Sequence, residues 1–165
     1  MRAVADTGPL HYLILLGHAD ILNALFGEVA VPEAVRDELA HASAPDPVRE
    51  WIAAPPAWLS VHPARPDRLA QTDAALDPGE RAALALAMEQ QPDLVLLDDR
   101  AGVAAAHALS LVVTGTLGLL VRAARRGLLD LPEALDALDR TNFRWTSSLR
   151  ARALVEHTQR RGHER

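Results

Sequence analysis

The chain has neither cysteine nor lysine in its 165 residues; all 17 basic side chains are arginines. The missing thiols exclude disulfides, zinc–thiolate sites and cysteine nucleophiles, and they make the cytoplasm the expected compartment. The missing amines exclude lysine nucleophiles, Schiff bases and the phosphate-binding lysine of a P-loop. Aromatic residues are few, at 4%; Phe26 and the tryptophans Trp51, Trp58 and Trp145 read as core and not as platforms for stacked bases. No apolar run reaches the roughly 20 residues of a membrane span. The first such run is interrupted by Asp6, Pro9 and His11, so neither a secretory leader nor a membrane partner is expected. There is no G-x-G-x-x-G for a dinucleotide, and the seven histidines show no H-E-x-x-H and no pair at metal-ligand spacing.

What remains is an ordinary globular composition, 49% hydrophobic and 24% charged. A chain this long buries roughly 70% of the surface it exposes when unfolded, enough for one core. The net charge of −5 is unevenly spread, because from Arg140 onward seven arginines stand against Glu156 and Glu164, a local balance of +5. Such a tail beside an acidic body suits a phosphodiester ligand. A solvated helical tail explains the same run without any ligand.

Hydrophobic patterning alternates short strands with helices. Strands are expected at 2–5, 29–31, 58–61, 94–97 and 111–113. Helices are expected at 10–16, 18–26, from Pro32 with Val35 and Leu39 as the buried stripe, and at 45–53 with Trp51 and Ile52 inward. Further helices follow at 79–90, from Asp98 to 109, from Thr114-Gly115-Thr116 to 126, at 131–140 and at 147–160. Pro55, Pro56, Pro63 and Pro66 break up the segment around the third strand, which reads as an excursion and not a domain boundary. Strands alternating with helices imply a parallel sheet covered on both faces. The expected class is α/β, a three-layer α/β/α sandwich with a small parallel sheet of four or five strands.

Acids recur at the ends of these strands or at the starts of neighbouring helices. Asp6 ends the first strand, and Glu38 lies on the helix after the second. Glu80 follows Asp77-Pro78-Gly79 at a helix start, and Asp98-Asp99 end the strand 94–97. Open parallel sheets bind ligands at the carboxyl ends of their strands, and carboxylates gathered there would bind a hard divalent cation. Each acid also has a plainer explanation. Asp6, Asp98 and Asp99 could be helix N-caps, and Glu80 could complement its own helix dipole. Glu38 is preferred to Glu33 and Asp37 because it adjoins the buried Leu39. Adjacent residues leave a strand in different directions, so one of Asp98 and Asp99 is the expected primary ligand, with Asp99 preferred. The carboxylates should converge within roughly 4–8 Å of one another, as shared ligation demands.

In order and spacing, five stretches resemble the PIN-domain family, specifically its bacterial branch of VapC-type toxin ribonucleases. They are Asp6-Thr7-Gly8-Pro9-Leu10, the proline-started segment 31–39, Gly79-Glu80-Arg81-Ala82, Leu96-Leu97-Asp98-Asp99-Arg100, and Val113-Thr114-Gly115-Thr116-Leu117-Gly118. Two departures stand out: Glu80 where many relatives carry Asp, and the doublet Asp98-Asp99 where many have one acid. The likeness covers about 2–129. It implies a PIN-like nuclease domain over 1–129; 130–165 has no counterpart in the likeness and is expected, from its own helical pattern, to be a helical C-terminal extension packed on the same domain. It further implies a metal-dependent endoribonuclease, the toxin of a toxin–antitoxin pair. Its catalytic residues would be Asp6, Glu38, Glu80 and Asp99, and Asp6, Glu80, Asp98 and Asp99 would hold Mg²⁺ or Mn²⁺. Thr7, Thr114 and Thr116 would support the ligands or bind phosphate, RNA would be the substrate, and an antitoxin and a second copy in a homodimer would be partners. The rival reading is a catalytically weak PIN-like module that binds RNA or protein. A receiver-type phosphoacceptor would need a late-strand lysine, which is missing. A haloacid-dehalogenase-like phosphatase would need an acid two residues after Asp6, where Gly8 stands.

Overall fold

The computed structural model describes residues 1–161. The chain forms two compact units, Met1–Thr116 and Leu117–Arg165. In the first, β1 (Arg2–Ala5), α1 (Thr7–Leu15), α2 (Ile21–Phe26), β2 (Glu28–Pro32), α3 (Glu33–Ala40), α4 (Asp46–Ala53) and β3 (Leu59–His62) come in succession. They are followed by α5 (Pro66–Leu69), α6 (Pro78–Gln90), β4 (Leu94–Leu96), α7 (Arg100–Ala108) and β5 (Val113–Thr114). The C-terminal unit is helical, with α8 (Thr116–Arg125), which begins at the last residue of the first unit, α9 (Leu131–Asp139) and α10 (Ser147–Arg161). The architecture is the expected three-layer α/β/α sandwich.

The five strands are all parallel, in the order β3-β2-β1-β4-β5. The first strand is therefore central: the chain winds outward from it through β2 and β3, then returns to its other side with β4. The crevice at such a reversal is where open parallel sheets place their ligands. Val4 pairs in register with Ala30 on one side and Val95 on the other, and all three are buried, as the middle of a doubly covered sheet requires.

The helix α6 binds this core to the site. Asp77 caps it, Pro78 occupies the first turn where its missing N–H costs nothing, and a run of alanines and leucines follows. Ala82 through Ala87 are all buried, so small side chains bring the helix close to β1, β2 and β4 and beside α3. Leu84, Leu86, Val95 and Leu97 belong to one apolar cluster, and each fully buried leucine contributes about 1.5–3 kcal/mol.

Several boundaries differ from the sequence expectation. The first helix begins at Thr7, three residues early, because Pro9 falls in a first turn that needs no N–H from it. The second begins at Ile21 and not at 18. Pro32 ends β2 in extended geometry and stands at the N-cap of α3, where the sequence suggests a first helical turn. Thr114 belongs to β5, since its carbonyl accepts the Leu97 N–H at 3.0 Å, so the next helix starts only at Thr116. The short α5 was not expected; Pro66 opens it by supplying a helical φ. The tryptophans also depart from expectation. Trp51, Trp58 and Trp145 are half-buried, and Trp51 packs against Trp58 with ring centroids 5.9 Å apart, whereas Ile52 and Phe26 are buried as expected.

In the C-terminal unit, Leu131, Ala134, Leu135 and Leu138 form the buried stripe of α9. Arg150 of α10 pairs with Asp136 and, at 3.1 Å, with Asp139, and lies 6.0 Å from the ring centroid of Trp145. Arg125 pairs with Glu156 at 3.7 Å. The basic tail is thus partly consumed within its own unit, while Arg140, Arg144 and Arg152 are exposed. Glu164 and Arg165, which the charge count includes, lie outside the described residues.

Candidate active site

Asp6 follows β1 at the centre of the carboxyl edge, and its backbone N–H donates to the Leu96 carbonyl at 2.9 Å. It stands at the N-cap position of α1 yet makes no side-chain capping bond. Its carboxylate is buried, at 7% exposure, and Oδ1 has no hydrogen-bond partner. An ordinary cap spends its oxygens on helix amides; this one keeps an oxygen unspent inside the protein, which is costly without a partner. Burial pushes its pKa up from 3.8 to about 7; the Thr7 amide opposes this, and the charges of Glu80, Glu38 and Asp77 add smaller upward pushes.

Glu38 reaches this point from the second turn of α3, whose neighbouring acids Glu33 and Asp37 are exposed. The Thr7 hydroxyl donates to Glu38 Oε2 at 2.5 Å. On the other side, α6 approaches so closely that a Cβ on Gly79 would meet Glu38 Oε1 at 2.6 Å. Only glycine leaves that space. Burial raises the Glu38 pKa; the Thr7 hydroxyl opposes this and the nearby Asp77 adds to it.

Glu80, on the first turn of α6, is buried at 8% exposure. Its pKa rises from 4.5 to about 7, first through burial and then through the charge of Asp99. Asp99 itself is exposed and caps α7, accepting from the amides of Ala101 at 2.9 Å and Gly102 at 3.3 Å.

Asp98 faces a different set of neighbours. It accepts the Thr116 backbone N–H at 2.7 Å and the Thr116 hydroxyl at 2.6 Å. A Cβ on Gly115 would meet Asp98 Oδ1 at 2.7 Å, and one on Gly8 would meet Oδ2 at 3.1 Å. Burial raises its pKa, with both Thr116 bonds opposing. Thr116 is fully buried and gives its hydroxyl to an acid, which is support for a carboxylate and not an open phosphate contact. Thr114 contributes its carbonyl to the ladder with β4.

The structure therefore brings Asp6, Glu38 and Glu80 together from β1, α3 and α6, and Asp99 joins through Glu80. One acid the sequence reading passed over is also there. Asp77 acts on Asp6, Glu38 and Glu80 alike, although Asp-Pro-Gly at a helix start signals only a cap. Among the described residues, no three of these acids already stand as a closed metal-coordinating group. Glu38, Asp98 and Asp99 each hold a hydrogen-bond donor instead, which spaces like charges apart. The donor set nevertheless fits a hard cation: every candidate donor is a carboxylate oxygen, and one of them is buried and unpartnered.

This parallel α/β fold gathers acids from three elements at its switch point, where open sheets bind their ligands. The PIN-domain family model matches residues 2–159, so the chain belongs to the PIN-domain family, whose members are typically metal-dependent nucleases. The match runs past Leu129 and includes most of the segment for which the sequence alone offered no counterpart. No curated protein and no solved structure matches the chain. Among the described residues, no helix is long and apolar enough to cross a membrane.

Proposed function

We propose that the chain is a metal-dependent endoribonuclease of the VapC type, the toxin of a toxin–antitoxin pair, acting as a cytoplasmic homodimer. Asp6, Glu38, Glu80 and Asp99 form its catalytic set, and Asp6, Glu80, Asp98 and Asp99 hold Mg²⁺ or Mn²⁺. In this reading the nuclease function lies in 1–129, and the basic helical segment 130–165 contributes RNA contacts. The observation that carries the proposal is the buried, unpartnered Oδ1 of Asp6, in a carboxylate that feels the charges of Glu80 and Glu38.

Asp6, Glu80, Asp98 and Asp99 would hold the divalent ion, which would supply a counter-charge for the phosphate and make the attacking water more acidic. The chain's own residues prepare for it. Asp6 and Glu80, pushed up to about 7, retain protons near neutrality that a cation displaces. Thr7 fixes the orientation of Glu38 through its hydroxyl, and Gly79 makes room for the same carboxylate. Asp98 ties β4 to the start of α8 through Thr116, holding the strand end that carries Asp99. The absence of lysine and cysteine agrees with a mechanism in which water attacks and no protein nucleophile is needed.

The rival reading, a catalytically weak module that binds RNA or protein, draws support from the open spacing of the acids. Incubation with labelled single-stranded RNA and DNA of the same sequence, in Mn²⁺ or Mg²⁺, separates the two. Internal cuts in RNA with intact DNA are the expected result. RNA retained but uncut across varied sequences, with metal bound, would favour the binding module.

A further inference from the structure

We infer that Asp77 is a further carboxylate of the cation site and not merely the cap of α6. This inference rests on the metal-dependent reading above. The geometry sets Asp77 Oδ2 and Glu38 Oε1 against the same face of Gly79, 3.2 Å and 2.6 Å from where a Cβ on that glycine would fall. The cap itself needs one oxygen on one amide, and Oδ2 already serves Gly79 N at 3.1 Å. Asparagine or serine would cap as well as aspartate without setting another negative charge beside Glu38. The chain bears that repulsion where a cation would relieve it. The second observation is the unpartnered Oδ1 of Asp6, buried at 7% exposure, in an acid that feels the charge of Asp77. Asp77 is exposed where Asp6 and Glu80 are buried, so its carboxylate is open to a hydrated ion from solvent.

The test separates charge from capping in the full-length, chelator-stripped protein by calorimetric titration with Mn²⁺ alone. Asp77→Asn keeps the cap and loses the charge; Asp77→Glu keeps the charge and weakens the cap. Asp77→Asn should bind Mn²⁺ about 10-fold or more weakly while its metal-free melting temperature stays level or rises. Asp77→Glu should bind close to wild type while melting lower. Affinity that follows the cap, normal in Asp77→Asn and weak in Asp77→Glu, would overturn the inference. So would wild-type affinity in Asp77→Asn when Asp6→Asn has lost Mn²⁺, and that result leaves the metal site standing. A wild type that takes up no Mn²⁺ overturns both readings together. Should Asp77→Asn misfold, Asp77→Ser, a cap of equal quality, carries the same expectation.

Discussion

At the scale of single residues, the telling feature is an acid that behaves unlike a cap. Asp6 sits where a helix N-cap belongs, yet its Oδ1 is unsatisfied in the interior. Its pKa is about 7 in the folded chain against 3.8 when unfolded, so between these values the folded state binds more protons than the unfolded one. Stability from this group is then full below about pH 4 and is lost as pH rises toward 7. Glu80 acts in the same direction. Without metal, the melting temperature should fall across that window, and millimolar Mn²⁺ should restore it at pH 7.5. A metal-free melting temperature that rises over the same range would contradict the assignment. Asp6→Asn should remove the repulsion and melt higher than wild type without metal, by about 2–4 °C for each kcal/mol relieved, while losing the response to Mn²⁺.

Thr7, Glu38 and Glu80 were legible as candidates because each adjoins a strand end or helix start in the sequence. Asp77 was not, since Asp-Pro-Gly is also what any good helix start looks like. The division of labour between Asp98 and Asp99 was hidden too. It depends on the Thr116 hydroxyl, 18 residues further on, and no local pattern reports that pairing.

At the scale of elements, the site depends on α6 coming close to α3 and on Asp98, just past β4, staying bonded to Thr116. Gly79→Ala would gain about 1 kcal/mol in helix propensity. Its new Cβ, however, would fall 2.6 Å from Glu38 Oε1, so Glu38 must turn away from the site. The variant should keep its fold, melt within a few degrees of wild type and lose most RNA cleavage; full activity would show that Glu38 is not needed where it stands. Thr116→Val removes a buried hydroxyl from Asp98 and leaves that carboxylate short of a donor. A loss of about 1–3 kcal/mol is expected, read by urea denaturation at pH 7.5, and no loss would mean the bond adds nothing. The strands and most helices could be read from hydrophobic patterning, because a doubly covered parallel sheet demands unbroken apolar runs such as 94–97. Boundaries slipped where proline or a long-range ladder bond decided them, as at Pro9, Pro66 and Thr114. Trp51 and Trp58 were misjudged because each covers the other at the surface rather than filling the core.

At the scale of the whole molecule, an acidic body carries a basic, helical C-terminal segment. The local +5 from Arg140 onward overstates what RNA would meet, since Arg150 is held by Asp136 and Asp139. Replacing the exposed Arg140, Arg144 and Arg152 with glutamine should weaken RNA binding and reduce its salt slope by up to about 2 for single strands, with the cleavage rate of bound RNA unchanged. An unchanged salt slope would confine RNA recognition to the acidic body.

The central claim is that carboxylates at the switch point of the sheet hold the cation on which RNA hydrolysis depends. Its most direct measurement is cleavage of single-stranded RNA by chelator-stripped protein, before and after Mn²⁺ is added back, for wild type and Asp6→Asn in parallel. Wild type should be silent without metal and active with it, and folded Asp6→Asn should be slower by a factor of about 100 or more at every Mn²⁺ concentration. Cleavage that persists both without metal and without Asp6 would contradict the account.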